Sequence, residues 1–123
     1  RAVLYVSDCL AEVIVVGVQA MAHITGGGLT GNLTRIVPDD MGATIEMSTI
    51  PALPIMAWLS QAGGIAEAEM LKTFNCGIGM ILAVAPDQAA AVEAELAAHA
   101  MSPVRMGEVI TGQGVHYSGQ LPF

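Results

Sequence analysis

Residues 23–29 read His-Ile-Thr-Gly-Gly-Gly-Leu, and this stretch is the one most suited to binding an anion. Gly26, Gly27 and Gly28 leave no side chains between the backbone and an approaching group, and glycine adopts positive φ without steric cost. A glycine-rich turn that opens a helix presents backbone N–H groups, which suit phosphate. A tight turn that only requires positive φ accounts for the glycines equally well. His23 and Thr25 flank the turn and are candidate substrate contacts.

Two polar residues follow the turn at helical spacing. Asn32 and Arg35 stand three residues apart, so a short helix places both on one face. Arg35 is the only cation near the turn, which favours a phosphate clamp over its alternative role of pairing with Asp39 or Asp40. His23 has the chemistry of a general acid or base. No partner carboxylate stands within sequence reach of it, which favours a plain structural histidine.

A second polar stretch, Thr-Phe-Asn-Cys-Gly-Ile-Gly-Met at 73–80, leads directly into the best strand candidate. Such a loop can carry ligand contacts on a rigid sheet, and its structural alternative is a helix-to-strand connection. Because Cys76 has no identifiable activating base, we expect a buried, inert thiol.

Nucleotide-binding motifs are either broken or missing. Residues 26–31 formally satisfy G-x-G-x-x-G, but that fingerprint needs a full crossover helix, and Pro38 cuts the following helix short. The sequence has no G-x-x-x-x-G-K-[ST], so the principal site of any ATP must lie outside this chain. His99 and His116 lack metal-ligand spacing, and we predict no metal site here.

The composition fits one domain whose surface is partly covered by another domain or subunit. The chain has 123 residues, 54% apolar and only 12% charged, where roughly a quarter charged is usual. A net charge of −7 with four basic residues excludes a basic nucleic-acid-binding patch. No apolar run approaches the ~18 residues of a membrane span. Two cysteines without C-x-x-C spacing are typical of free thiols in the cytoplasm.

Hydrophobic periodicity predicts short elements that do not alternate regularly. Residues 3–6 are interpreted as the end of a linker, and the other strands are expected at 43–47, 77–85, 104–111 and 115–118, with an extended entry at 21–25. Helices are expected over residues 7–18, 29–36, 51–62, 66–72 and 86–100. Val92 and Leu96 should face the core, and the strand at 77–85 should be central. This pattern indicates an α+β domain with a mixed, mainly antiparallel sheet and packed helices.

Three blocks together resemble the phosphoribosylformylglycinamidine cyclo-ligase family, also called aminoimidazole ribonucleotide synthetase. The first is residues 23–29 with Asn32, Arg35 and Pro38. The second, Trp58-Leu59 with Ala62-Gly63, is similar to the family's W-L-x-x-A-G helix. The third, residues 69–80, resembles its E-M-x-[RK]-T-F-N-C-G-[IV]-G-M segment.

The resemblance implies the C-terminal domain of a two-domain enzyme of purine biosynthesis, a ligase active as a cytoplasmic homodimer. Its fold would be the C-terminal type of this superfamily, partly ferredoxin-like. The N-terminal domain, expected outside residues 1–123, would bind most of the ATP and Mg²⁺. ATP would phosphorylate the amide oxygen of formylglycinamidine ribonucleotide, and a substrate nitrogen would close the ring to aminoimidazole ribonucleotide.

By the same resemblance, nine residues are expected to contact the nucleotide substrate or its phosphate, or to lie in its cleft. They are His23, Thr25, Gly26, Gly27, Gly28, Asn32, Arg35, Thr73 and Asn75. No catalytic residue is assigned among them. The isolated chain is expected to be inactive.

Four positions depart from the family pattern. Val3 and Ser7 stand where the family has Arg and Lys, Asp8 replaces a small residue, and Gly64 stands where Asn is common. The first two departures motivate an alternative function, a non-catalytic binding or dimerisation module of the same fold. A further alternative is a related superfamily member such as formylglycinamidine ribonucleotide synthetase, although the third block favours the cyclo-ligase.

Overall fold

A computed structural model describes residues 3–7 and 17–123, with the strand at 3–7 described by its backbone. The described residues form six strands: β1 (Val3–Ser7), β2 (Val18–His23), β3 (Met41–Glu46), β4 (Met80–Val84), β5 (Val104–Thr111) and β6 (Gly114–Ser118). They also form four α-helices: α1 (Gly28–Leu33), α2 (Pro54–Gly63), α3 (Glu67–Thr73) and α4 (Ala89–Ala98). Short 3₁₀ turns at Met47–Thr49 and Pro86–Gln88 precede α2 and α4. No helix in the described part of the chain is long and apolar enough to cross a membrane.

The six strands form one sheet in the order β2-β4-β1-β5-β3-β6. Every neighbouring pair is antiparallel except β3 and β6, which run parallel. The predicted α+β class with a mixed, mainly antiparallel sheet is therefore confirmed.

Strand β4 is buried on both sides, as its continuous apolar sequence predicts. Because successive side chains point to opposite faces, Ile81 joins the larger core cluster on one face while Leu82 joins a smaller one on the other. Val92 and Leu96 of α4 complete the smaller cluster, which confirms that both face the core.

The structure corrects the interpretation of residues 3–6. They belong to β1, which pairs with β4 and β5 inside the sheet and is not the end of a linker. The helix expected over residues 7–18 falls mostly on residues that the structure does not describe. Its expected end is wrong, because Gly17 adopts φ 102° and Val18 already begins β2.

Two other boundaries differ for local backbone reasons. Helix α2 begins at Pro54 and not at Pro51, because Leu53 precedes a proline and stays extended at φ −73°, ψ 127°. Strand β4 begins at Met80 and not at Gly77, because Cys76 and Gly77 adopt positive φ in the preceding turn.

Strand register brings the polar loops to one edge of the sheet. His23 at the end of β2 pairs with Met80 at the start of β4, and Glu46 at the end of β3 pairs with Ser118 at the end of β6. The glycine turn after β2, the loop before β4 and the end of β6 therefore share this edge.

Candidate functional site

The glycine turn joins β2 to α1 and is held in a shape that only glycine adopts freely. Gly27 has φ 97° and Gly28 has φ 61°, both in the left-handed region. The Gly28 amide donates to the Thr25 carbonyl at 3.1 Å and closes the turn. Helix α1 then begins without a side-chain cap.

Gly28 is also required by packing. A Cβ atom there would meet the carbonyl oxygen of Leu71 and would lie 2.8 Å from the carbonyl carbon of Lys72. The turn is therefore pressed against the C-terminal end of α3, so α1 and α3 are held at one fixed distance. This contact fixes the place of the Lys72 backbone relative to the glycine turn.

Gly26 and Gly31 have no such internal requirement. A Cβ atom on either would meet nothing within 4 Å, and neither residue has positive φ. Gly26 is exposed and Gly31 is half-buried. The bare backbone on this side of the turn leaves room for another molecule to approach closely.

Asn32 ties the turn together from beneath. Its side chain is 3% exposed, and its Nδ2 donates to the Gly28 carbonyl at 2.7 Å. Longer bonds run from the same Nδ2 to the carbonyls of Thr25 (3.3 Å) and Gly26 (3.4 Å). The Arg35 Nη1 donates to Asn32 Oδ1 at 3.3 Å. These bonds give Asn32 a positioning role, and Arg35 supports it from the outer face.

A cavity of about 660 Å³ opens beside the turn. Its wall includes Gly27, Thr30 and Gly31 from the turn and α1, Lys72 from α3 and Tyr117 from β6. Cavities of this size hold small-molecule ligands. The backbone amides of Gly27 and Thr30 donate to no other described residue, so both remain available as donors.

The polar groups of the cavity wall suit an anion. Lys72 forms no ion pair with the described residues and stands in the last turn of α3, where the helix dipole favours a cation. Glu67, the acidic residue of the wall, accepts a hydrogen bond from the Leu121 amide at 2.9 Å. Thr30 Oγ1 and the Tyr117 hydroxyl are 2.8 Å apart. Burial raises the pKa of Tyr117, and the Thr30 hydrogen bond lowers it in part.

Not all predicted site residues reach this cavity. Gly27 lines it, whereas His23 and Thr25 are exposed at the entry to the turn. Arg35 is exposed and directed to Asn32, and neither residue belongs to the wall.

The second polar stretch forms a self-contained turn. Thr73 Oγ1 donates to Glu69 Oε1 at 2.6 Å, and Asn75 Oδ1 accepts the Gly77 amide at 2.9 Å. Cys76 is fully buried, its thiol donates to the Met70 carbonyl at 3.5 Å, and burial raises its pKa to about 11. The expected burial of this thiol is confirmed. Neither Thr73 nor Asn75 lines the cavity.

Sequence reasoning missed Thr30, Lys72 and Tyr117. Lys72 carried a usable signal, since it is one of four basic residues and lies inside the third motif block. Tyr117 carried none, because 87 residues separate it from Thr30. The described residues also contain no group of three or more His, Cys, Asp or Glu side chains that could hold a metal ion.

Two relatives that are similar in sequence carry the same name. Phosphoribosylformylglycinamidine cyclo-ligases from Xanthomonas campestris pv. campestris, strains B100 and 8004, are each 48% identical to this chain over 113 residues. The matches cover 90% of this chain and 33% of each relative. The chain therefore spans about a third of the length of these curated relatives.

Solved structures of low sequence identity share the fold. HypE, a hydrogenase maturation protein from E. coli, superposes with a TM-score of 0.68 at 22% identity, covering 96% of this chain and 46% of that one. Thiamine-monophosphate kinase from Stenotrophomonas maltophilia K279a gives a TM-score of 0.65 at 15% identity, covering 97% and 50%. PurL from T. maritima, complexed with FGAR, gives a TM-score of 0.58 at 18% identity, covering 87% of this chain and 17% of that one. The superfamily fold type predicted from the resemblance is confirmed.

The family assignment rests on nearly the whole chain. Residues 1–118 match the model of the AIR synthase related protein, C-terminal domain, and the chain belongs to that family.

Proposed function

We propose that this chain is the C-terminal, substrate-binding domain of an ATP-dependent cyclo-ligase that converts formylglycinamidine ribonucleotide to aminoimidazole ribonucleotide in purine biosynthesis. The observation that carries the proposal is the 48% identity to named cyclo-ligases over 90% of the chain. The cavity beside the glycine turn supports it, because its size and its free donors suit a nucleotide phosphate.

Each part of the site has a distinct task in this proposal. The amides of Gly27 and Thr30 donate to phosphate oxygens, and the Lys72 ammonium group supplies positive charge. The open backbone at Gly26 and Gly31 lets the phosphate approach. His23 and Thr25 contact the same substrate from the entry of the turn. Asn32 and Arg35 hold the turn in its binding shape.

Thr73 and Asn75 complete the cleft only if a second polypeptide surface joins this edge of the sheet. The proposal supplies that surface as an N-terminal domain that binds most of the ATP and Mg²⁺. The described residues fit an anionic group but offer no acidic cluster for Mg²⁺. When bound, ATP supplies the activation that makes the amide oxygen a leaving group. The complete protein would be a cytoplasmic homodimer.

A chimera tests the proposal. This chain replaces the C-terminal third of the Xanthomonas cyclo-ligase, and ring closure is measured with ATP and formylglycinamidine ribonucleotide. We expect the chimera to be active and the isolated chain to be inactive. A folded chimera without activity would contradict the proposal and favour the non-catalytic module. Turnover by the isolated chain would contradict the need for a second domain.

The chimera also tests the site. Removing the charge with Lys72→Met should raise KM for the nucleotide about tenfold or more, because a hydrogen bond to a charged group contributes about 1.5–3 kcal/mol. Lys72→Arg should restore most of the loss. Arg105→Met is the matched control, since Arg105 pairs with Glu93 at 3.5 Å, away from the cavity. Equal KM values for Lys72→Met and the control would remove Lys72 from the site.

A further inference from the structure

Helix α2 carries an apolar surface that nothing in the described structure covers. Its ten residues include no charged side chain and none that is buried. Ile55 and Trp58 stand three positions apart, on one side of the helix, and are 55% and 61% exposed. Leu53, just before the helix, is 37% exposed. We call the surface formed by Ile55 and Trp58 the α2 surface.

The opposite side of α2 is already packed against the domain. Met56 contacts the larger core cluster, and Leu53 lies over Gly77, where a Cβ atom would sit 3.1 Å from Leu53 Cγ. A helix that is apolar on both sides is normally covered on both sides. A tryptophan is among the largest apolar groups that a protein can bury, and interface centres are enriched in it. The α2 surface therefore has the character of an interface centre.

The relatives indicate the occupant. This chain spans 33% of their length, so about two thirds of their polypeptide lies outside the region matched here. The low charge of the whole chain, 12%, also suits a domain whose surface is partly covered.

The position of α2 fits this occupant. The 3₁₀ turn Met47–Thr49 follows β3 and leads towards α2, and Met47 also lines the cavity beside the glycine turn. Leu53 lies over Gly77, so a domain seated on the α2 surface would lie beside the turn that contains Asn75. Such a neighbour would close the open edge of the sheet, where Thr73 and Asn75 lie.

We propose that the α2 surface is the docking site for the N-terminal domain of the same polypeptide, with Trp58 as its central anchor. This inference rests on the proposed two-domain function. It adds the surface through which the second domain is held.

The sole tryptophan of the chain makes a direct test possible. Acrylamide quenching is measured for the isolated chain and for the chimera, and the signal of the Trp58→Phe chimera is subtracted to leave Trp58 alone. We expect the chimera to show several-fold weaker quenching and a blue-shifted emission. Equal quenching in both proteins would overturn the proposal. Concentration-dependent protection in the isolated chain would also overturn it, in favour of a second copy as occupant.

Paired variants give a second readout. Trp58→Ser should lower the Tm of the chimera clearly more than that of the isolated chain. The control is Met21→Ser. Met21 is an apolar residue of β2 that is 56% exposed. It pairs with Leu82 and therefore lies on the opposite face of the sheet from Met56. Equal losses for Trp58→Ser in both proteins would contradict docking. If the chimera is active but acrylamide still quenches Trp58, the docking proposal fails and the enzymatic proposal stands. If the chimera is inactive but Trp58 is shielded, the enzymatic proposal fails and the docking proposal stands.

Discussion

Alanine substitutions at Gly26, Gly28 and Gly64 distinguish the cost of a left-handed backbone from the cost of a close packing contact. Gly28 has φ 61° and no room for a Cβ atom, whereas Gly64, at the C-cap of α2, has φ 58° and open space around it. Gly26 has neither constraint, because its surroundings are open and its φ is not left-handed. Replacing each by alanine adds the same methyl group to three different environments.

The expected losses follow from these environments. Left-handed backbone costs a non-glycine residue roughly 1–2 kcal/mol. Overpacking costs about 1–3 kcal/mol more. Gly28→Ala carries both costs and should lose about 2–5 kcal/mol, or roughly 8–20 °C in Tm for a chain of this size. Gly64→Ala carries only the first cost, and Gly26→Ala should be neutral or gain about 0.4–1 kcal/mol.

Thermal and urea unfolding followed by circular dichroism give the order directly. We expect Gly26→Ala to unfold at or above the temperature of the unmodified chain, Gly64→Ala below it and Gly28→Ala lowest. If Gly28→Ala is as stable as Gly64→Ala, the close approach of the turn to Leu71 does not exist. Gly64→Asn should be nearly neutral, because asparagine tolerates left-handed backbone. The same tolerance explains why this chain can have Gly64 where the family that it resembles commonly has Asn.

Three further predictions concern Asn32 and Arg35, which hold the glycine turn by hydrogen bonds, and the buried thiol of Cys76. Asn32→Ala should lower the free energy of unfolding in urea by about 1–3 kcal/mol, because the Gly28 carbonyl loses its 2.7 Å partner. The control Thr34→Ala, on the exposed side, should stay within about 0.5 kcal/mol. Equal losses would contradict the buried Asn32–Gly28 hydrogen bond. Arg35→Ala in the chimera should raise KM several-fold with an unchanged Tm, and kinetics identical to those of Arg105→Ala would make Arg35 a plain surface residue. Burial raises the pKa of Cys76 from 9.0 to about 11, so the folded state favours the protonated thiol. The thiol's contribution to the free energy of unfolding is complete below pH 9 and falls as the pH rises to about 11, by at most about 1.4 kcal/mol per pH unit. Urea unfolding should show this loss, and Cys76→Ala should abolish it.

The glycine turn and the short helix after it were readable because their parts are local. The glycine turn, the short helix after it and the helical spacing of Asn32 and Arg35 depend on neighbours within a dozen residues. The sequence did not reveal that Asn32 faces the turn carbonyls, because a buried amide and a ligand-binding amide have the same spacing. Burial of 3% and the bond to Gly28 distinguish these two roles.

Secondary structure was predictable for the same reason, and its errors are instructive. The central position of β4 followed from an apolar run that leaves no face for water. β1 was misread, since the four apolar residues 3–6 look the same at the end of a linker and in the middle of a sheet. Only its pairing with β4 and β5 distinguishes these cases, and those partners lie more than seventy residues away.

Local periodicity and turn chemistry thus determine which segments become helices, strands and turns, because they depend on contacts between near neighbours. Tertiary structure alone decided that β3 separates β5 from β6, and that Gly28 rests against Leu71. It also brought Tyr117 to within 2.8 Å of Thr30 and thereby formed the cavity wall. These arrangements depend on how whole faces pack together, and no short stretch of sequence contains both partners.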